Sequence, residues 1–73
     1  MTMKQTFEKS SNIKEGDYDA ATKVLTVVFQ NDNIYRYADV PQGVFDEFCT
    51  AISPGKFFSE NIRGKYTGAK ASA

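Results

Sequence analysis

The segment Lys23-Val24-Leu25-Thr26-Val27-Val28-Phe29 constrains this chain more than any other. β-Branched residues dominate it, and Leu25, Val27 and Phe29 fall on one face at a period of two, which predicts a strand with that face turned to a core. Gln30-Asn31-Asp32-Asn33 follows, and Asn and Asp tolerate the positive φ of a tight hairpin. Ile34 to Ala38 then returns antiparallel, with Tyr35 and Tyr37 on one face and Ile34, Arg36 and Ala38 on the other. A weaker strand, Ile13 to Tyr18, is interrupted by Gly16 and joins the hairpin through Asp19-Ala20-Ala21-Thr22, a turn whose leading Asp bonds its own downstream backbone. The expectation is a three-stranded antiparallel meander.

At Asp39-Val40-Pro41 the apolar period changes from two to 3.6, and Pro41 suits the first helical position because its missing N–H would be unpaired there anyway. A helix is predicted from Pro41 to about Ile52, with Val44, Phe45, Phe48, Cys49 and Ile52 as its apolar stripe and Asp46 and Glu47 near its start, facing the dipole. Ser53-Pro54-Gly55 ends it and opens a second helix, Lys56 to Arg63, with Ser53 as N-cap and Pro54 at its first position. Phe58 and Ile62 anchor that helix, and Gly64 stops it in the left-handed C′ role. The fold class is therefore α+β, a small three-stranded antiparallel meander followed by two helices. Residues 1–9 read as a flexible arm, 10–66 as the domain and 67–73 as a flexible tail.

Seventy-three residues make one domain, near the size where a single apolar core barely suffices. One cysteine, Cys49, and no histidine leave no disulfide and no zinc ligand set, so Cys49 reads as core filler and no metal or cofactor is expected. No stretch reaches the roughly 20 apolar residues of a membrane span and the N-terminus has no apolar signal core, so the chain is expected in the cytoplasm, without membrane contact. Catalysis is not expected either. Asp17 and Asp19 read as turn residues rather than an acid–base or cation pair, and Ser10 and Ser11 lack a base to activate them.

Charge supplies the remaining signal. Nine basic and nine acidic residues cancel, which argues against generic nucleic-acid coating. The balance is uneven along the chain: up to Ile52 five basic residues face eight acidic ones, a net of −3, and from Ser53 four basic residues face one acidic, a net of +3. The positive end coincides with Gly55 to Tyr66, a run of aromatic anchors and basic residues that reads as a short helix leading into a basic hook. Candidate partner-binding residues are Lys56, Arg63, Lys65 and Tyr66 in this run, Arg36 on the sheet, and Lys4 and Phe7 on the arm; Phe7 alternatively closes over the core. Tyr35, Tyr37 and Phe29 resemble a base-stacking platform, although a core this small needs some of those rings.

Several fragments together resemble one family. Ser10-Ser11-Asn12-Ile13, Tyr18-Asp19, Leu25-x-Val27-x-Phe29, Tyr35-x-Tyr37-x-x-Val40-Pro41, Gly55-x-Phe57-Phe58 and Ile62-Arg63-Gly64-Lys65-Tyr66 are similar to the KTSC domain, named for a C-terminal extension of some lysyl-tRNA synthetases. Asp32 departs from the family pattern, which usually has Gly in the hairpin. The resemblance implies no enzymatic activity. The chain is also similar to small phage-encoded transcription regulators. That likeness implies a monomer that binds the large subunits of host bacterial RNA polymerase near the RNA exit channel, inhibiting initiation and suppressing termination at intrinsic terminators. The alternative is an RNA-binding module resembling the synthetase extension, using Lys56, Arg63, Lys65 and the tyrosine face.

Overall fold

The β-branched run Val24–Phe29 forms the middle strand of a five-stranded antiparallel sheet. The computed structural model describes residues 2–8 and 10–71; Met1, Lys9, Ser72 and Ala73, and the arm and tail readings that fall on them, lie outside the described residues. In chain order the elements are β1 (Thr2–Thr6), β2 (Ile13–Asp19), β3 (Val24–Phe29), β4 (Ile34–Tyr37), α1 (Gln42–Thr50), α2 (Pro54–Asn61) and β5 (Gly68–Lys70). The strands lie side by side in that same order.

The sheet has five strands where the sequence reading expects three. Thr2–Thr6, read as part of an arm, pairs with β2 in the register Met3 to Tyr18 and Gln5 to Gly16, and Gly68–Lys70, read as tail, pairs with β4 through Tyr35 to Lys70 and Tyr37 to Gly68. Gly68–Lys70 has no β-branched residue, and Thr2–Thr6 has only its two terminal threonines and no alternating apolar run. Their pairing satisfies the outward N–H and C=O groups that β2 and β4 would otherwise present as open edges.

One face of the sheet is covered. Ile13, Tyr18, Leu25, Val27 and Tyr37 are buried on it together with Phe45, Phe48, Phe58 and Ile62 from the helical segment. A register shift between Ile13 and Glu15 explains why β2 looks weak in sequence: the irregularity lets Ile13 and Gly16, three residues apart, both face the core. Gly16 is required there, since a Cβ would lie 3.1 Å from the Phe48 ring and 3.4 Å from the Phe7 ring. Phe7, Phe48 and Phe57 continue this ring cluster, at centroid separations of 4.6 Å and 6.0 Å from Phe48. The Tyr18 hydroxyl donates to the Val40 carbonyl, tying β2 to the chain just before α1, while its ring stacks on Phe45 at 5.2 Å.

Several turn and helix expectations change. Pro41 is the N-cap of α1 rather than its first residue, and Asp46 and Glu47 fall beyond the first turn, away from the N-terminal dipole. Phe45 and Phe48 are buried as the stripe predicts, and Val44 and Cys49 are half-buried, but Ile52 is fully exposed. The helix stops at Thr50 and Ala51 is extended (φ −63°, ψ 139°), so the helical period no longer sets the direction of Ile52. The α2 helix takes Ser53 as N-cap and Pro54 at its first position as expected, with Ser53 extended as residues preceding proline are, so its span starts two residues before Lys56, and it ends at Asn61 rather than Arg63. Gly64 does not take a positive φ; after α2 the chain continues through Lys65 N to Ile62 O and Tyr66 N to Ile62 O bonds. In the hairpin Asp32 itself adopts φ 68°, and the Asn31 carboxamide oxygen accepts from Asn33 N at 3.1 Å.

Candidate functional site

The rings at the β3–β4 end of the covered face are only partly enclosed, and this sets the site. Phe29 and Tyr35 are half-buried and meet edge to face at 5.6 Å, while Phe58 from α2 meets Phe29 at 5.3 Å and Tyr37 at 5.4 Å, each near 78°. Alternation in β3 and β4 places Phe29, Tyr35 and Tyr37 on one face, and the i, i+4 spacing of Phe58 and Ile62 lays α2 against it. The result is a cleft of about 470 Å³ between α2, the β3–β4 hairpin and the loop before β2. That volume is within the range occupied by single small ligands.

The polar mouth of the cleft is built by the Ser10–Ile13 loop. The Ser10 hydroxyl accepts from the backbone N–H groups of Asn12 (3.3 Å) and Ile13 (3.0 Å), Gln30 N donates to Asn12 O, and the Gln30 carboxamide donates to the carbonyls of Ser10 and Ile13. Gly55 lets this loop approach α2, since a Cβ there would sit 3.2 Å from the Asn12 amide nitrogen. Arg63, on the turn after α2, also lines the cleft. Burial holds the Tyr37 hydroxyl above its ordinary pKa, the nearby Arg63 charge partly opposes this, and Tyr35 adds to it. Tyr37 is therefore a neutral hydrogen-bonding group at neutral pH.

The sequence-derived candidates are dispersed. Arg63 is exposed and lines the cleft; Lys56 and Lys65 are exposed but do not line it; Tyr66 is half-buried and packs against the core. Arg36 is exposed on the uncovered face of the sheet, beside a shallow hollow of about 220 Å³ that also includes Asp17, Asp19 and Thr26. Lys4 lies on that same face, with Nζ 2.9 Å from the half-buried Glu15, a pair that raises the lysine pKa through its hydrogen bond and charge. Asp17 Oδ1, directly across the register from Lys4, is buried without a hydrogen-bond partner. Phe7 is buried rather than presented on the surface: it is 5% exposed, its ring packs on Phe48, and its backbone N donates to Lys14 O. Its alternative, closure over the core, is what the fold adopts.

Asn12 and Gln30 line the cleft although sequence reasoning does not name them as site candidates. They are 18 positions apart, and only the register pairing Ile13 with Phe29 brings them together. Among the described residues no cluster of His, Cys, Asp and Glu is arranged to hold a metal ion, and no helix is long and apolar enough to cross a membrane.

The fold and cleft define a small α+β domain with a five-stranded antiparallel sheet and a partly open aromatic cleft. The particular family is clear from comparison: residues 9–66 match the KTSC domain, and the chain belongs to that family. It is 38% identical over 58 residues to a lysine–tRNA ligase of Trichormus variabilis, a match covering 80% of this chain and 10% of the ligase. The chain thus corresponds to about a tenth of the length of that relative. A protein of Tsukamurella paurometabola is 33% identical over 58 residues, covering 80% of this chain and 87% of its own. The crystal structure of a KTSC domain protein from Yersinia pestis superposes with a TM-score of 0.89 at 30% identity, covering 99% of this chain and all of that one. These likenesses support the family and lend no support to an identity as a phage regulator.

Proposed function

We propose that this KTSC domain is a non-catalytic RNA-binding module that seats one unstacked base in the α2 cleft. The observation that carries the reading is the conjunction of half-exposed Phe29 and Tyr35 with the exposed Arg63 in the lining of one cleft. Every base has a π-face that stacks on such rings, and a guanidinium serves either a phosphate or a second stacking surface. Lys70, paired with Tyr35 and so on the same face of the sheet, adds a second cation beside the cleft. The likeness to lysine–tRNA ligases, whose name includes an RNA, supports the same reading. With zero net charge, affinity rests on stacking more than on counterion release, so the salt slope should be shallow, about −0.7 per phosphate contacted.

The test is fluorescence anisotropy with short single-stranded RNA. Tyr35→Ala should weaken binding by the value of one stacked base, about 1–3 kcal/mol, and Arg63→Glu should weaken it without unfolding the domain, since exposed charges contribute little to stability. Wild-type affinity in both variants, or no binding to any RNA, would reject the reading.

A second reading is favoured by a different observation, the fully exposed Ile52 at the α1–α2 junction. An isolated protruding apolar side chain suits insertion into a pocket on a protein partner. In this reading the domain is a phage-encoded monomer that binds large subunits of host RNA polymerase near the RNA exit channel, inhibiting initiation and suppressing intrinsic termination, with the basic hook Lys56, Arg63, Lys65 and Tyr66 meeting an acidic surface. Binding to RNA-free core polymerase that is lost in Ile52→Asp would favour it over the RNA module.

A further inference from the structure

The two amides at the cleft mouth are not equivalent, and their hydrogen-bond commitments point to the kind of base the cleft takes. The Gln30 Nε2 lies 3.2 Å from the Ser10 carbonyl and 3.3 Å from the Ile13 carbonyl. Two carbonyl acceptors demand a donor, so the amide orientation is fixed chemically and both of its hydrogens are spent. Gln30 therefore presents only its Oε1, an acceptor, to an incoming group. Asn12 is in the opposite condition. Its backbone N–H and C=O are both engaged, by Ser10 and Gln30, but its carboxamide makes no hydrogen bond within the described residues, and it is held against Gly55 at the foot of α2. It offers one donor and one acceptor side by side at the mouth of an aromatic cleft.

We infer that this pair selects an adenine nucleotide, with Asn12 bonding the adenine edge bidentately and Gln30 Oε1 accepting the second hydrogen of the exocyclic amine. The inference rests on the RNA-binding reading of the same cleft and deepens it. An amide matches a base edge that sets an amino donor beside a ring-nitrogen acceptor, the pairing by which Asn and Gln recognise adenine. Cytosine shares that edge with a smaller stacking face. Uracil places a carbonyl where Gln30 already presents an oxygen, and two acceptors facing each other exclude it. The same chemistry is available from an adenosine within RNA or from free AMP, and Arg63 suits the phosphate of either.

The experiment compares three labelled RNA oligomers of equal length by anisotropy: oligoadenylate, the same oligomer with purine riboside in place of adenosine, and oligouridylate. Free AMP is titrated separately by isothermal calorimetry. Purine riboside keeps both rings and loses only the amine. Oligoadenylate should bind about 5- to 150-fold tighter than the purine-riboside oligomer, the discrimination of one bidentate pair, and oligouridylate should bind more weakly again. In Asn12→Ala, confirmed folded by its melting curve, the preference for oligoadenylate over the purine-riboside oligomer should shrink several-fold, to what the single bond from the amine to Gln30 Oε1 supplies; an unchanged preference removes Asn12 from the site. AMP binding that is lost with purine riboside monophosphate supports the same selectivity with a free nucleotide as its source. Equal affinity of the wild-type protein for all three oligomers, with Tyr35→Ala still weakening each, overturns adenine selection and leaves base stacking in place. No binding of any nucleotide overturns both.

Discussion

Phe48 and Ile52 lie on one predicted helical stripe, and replacing each with alanine should give opposite results. Phe48 is fully buried, with Phe7, Phe57 and Phe58 at 4.6, 6.0 and 6.3 Å from its ring centroid, and its edge fills the space that Gly16 leaves in β2. Truncating a buried Phe costs about 3–5 kcal/mol through lost transfer energy and the cavity left behind. The upper part of that range applies here, because β2 is hydrogen-bonded to β1 on one side and β3 on the other and cannot move in to fill the space. A domain of 73 residues has a total stability of about 4–11 kcal/mol at the usual value per residue, so Phe48→Ala should be largely unfolded or nearly so. Ile52→Ala, at a fully exposed position, should change stability by no more than about 0.5 kcal/mol. Urea denaturation followed by far-UV circular dichroism measures both. A loss below about 1.5 kcal/mol for Phe48→Ala, or a comparable loss for Ile52→Ala, would refute the assignment of the ring cluster as the centre of the core.

Further outcomes follow from the turns, the edge strand and the tyrosines. Asp32→Gly should stabilise the protein by up to about 1 kcal/mol in the same urea assay, because Asp32 occupies φ 68° and its 3.5 Å pair with Lys14 is too exposed to offset the backbone cost. Gly68→Ala should destabilise by about 1–3 kcal/mol and weaken RNA binding together, since a Cβ there overlaps the Tyr37 ring that lines the cleft; unchanged binding would separate β5 from the site. Burial raises the hydroxyl pKa of Tyr18, aided by Asp19 and Asp46, and burial likewise raises those of Tyr37 and the Cys49 thiol. Groups whose folded pKa is raised favour the folded state below their ordinary values, near 9 for the thiol and 10 for tyrosine, and that contribution is lost as pH rises through the raised values. Melting temperature should therefore fall progressively above about pH 9, and Tyr18→Phe should flatten that fall while lowering stability at neutral pH by about 1–3 kcal/mol through the unpaired Val40 carbonyl.

The sequence by itself determined the three central strands, both helices and the antiparallel α+β class, because local period and turn chemistry act within a few residues: Leu25 and Val27 alternate inward, Asp19 Oδ1 accepts from Ala21 N, and Phe58 and Ile62 anchor α2. It also carried the family, whose motif positions are mainly core and turn residues. Tertiary structure alone decided the two outer strands, since Thr2–Thr6 and Gly68–Lys70 are ordered by the edges they meet and not by their own side chains. It decided the fate of Ile52, which depends on a single extended residue at Ala51, and of Phe7, which the β1–β2 pairing carries over the core. It also decided the cleft. Arg63 could be singled out by charge, but Asn12, Gln30 and the half-exposed rings become one site only when long-range strand register and the packing of α2 bring distant positions together, and no local pattern encodes a contact made across that separation.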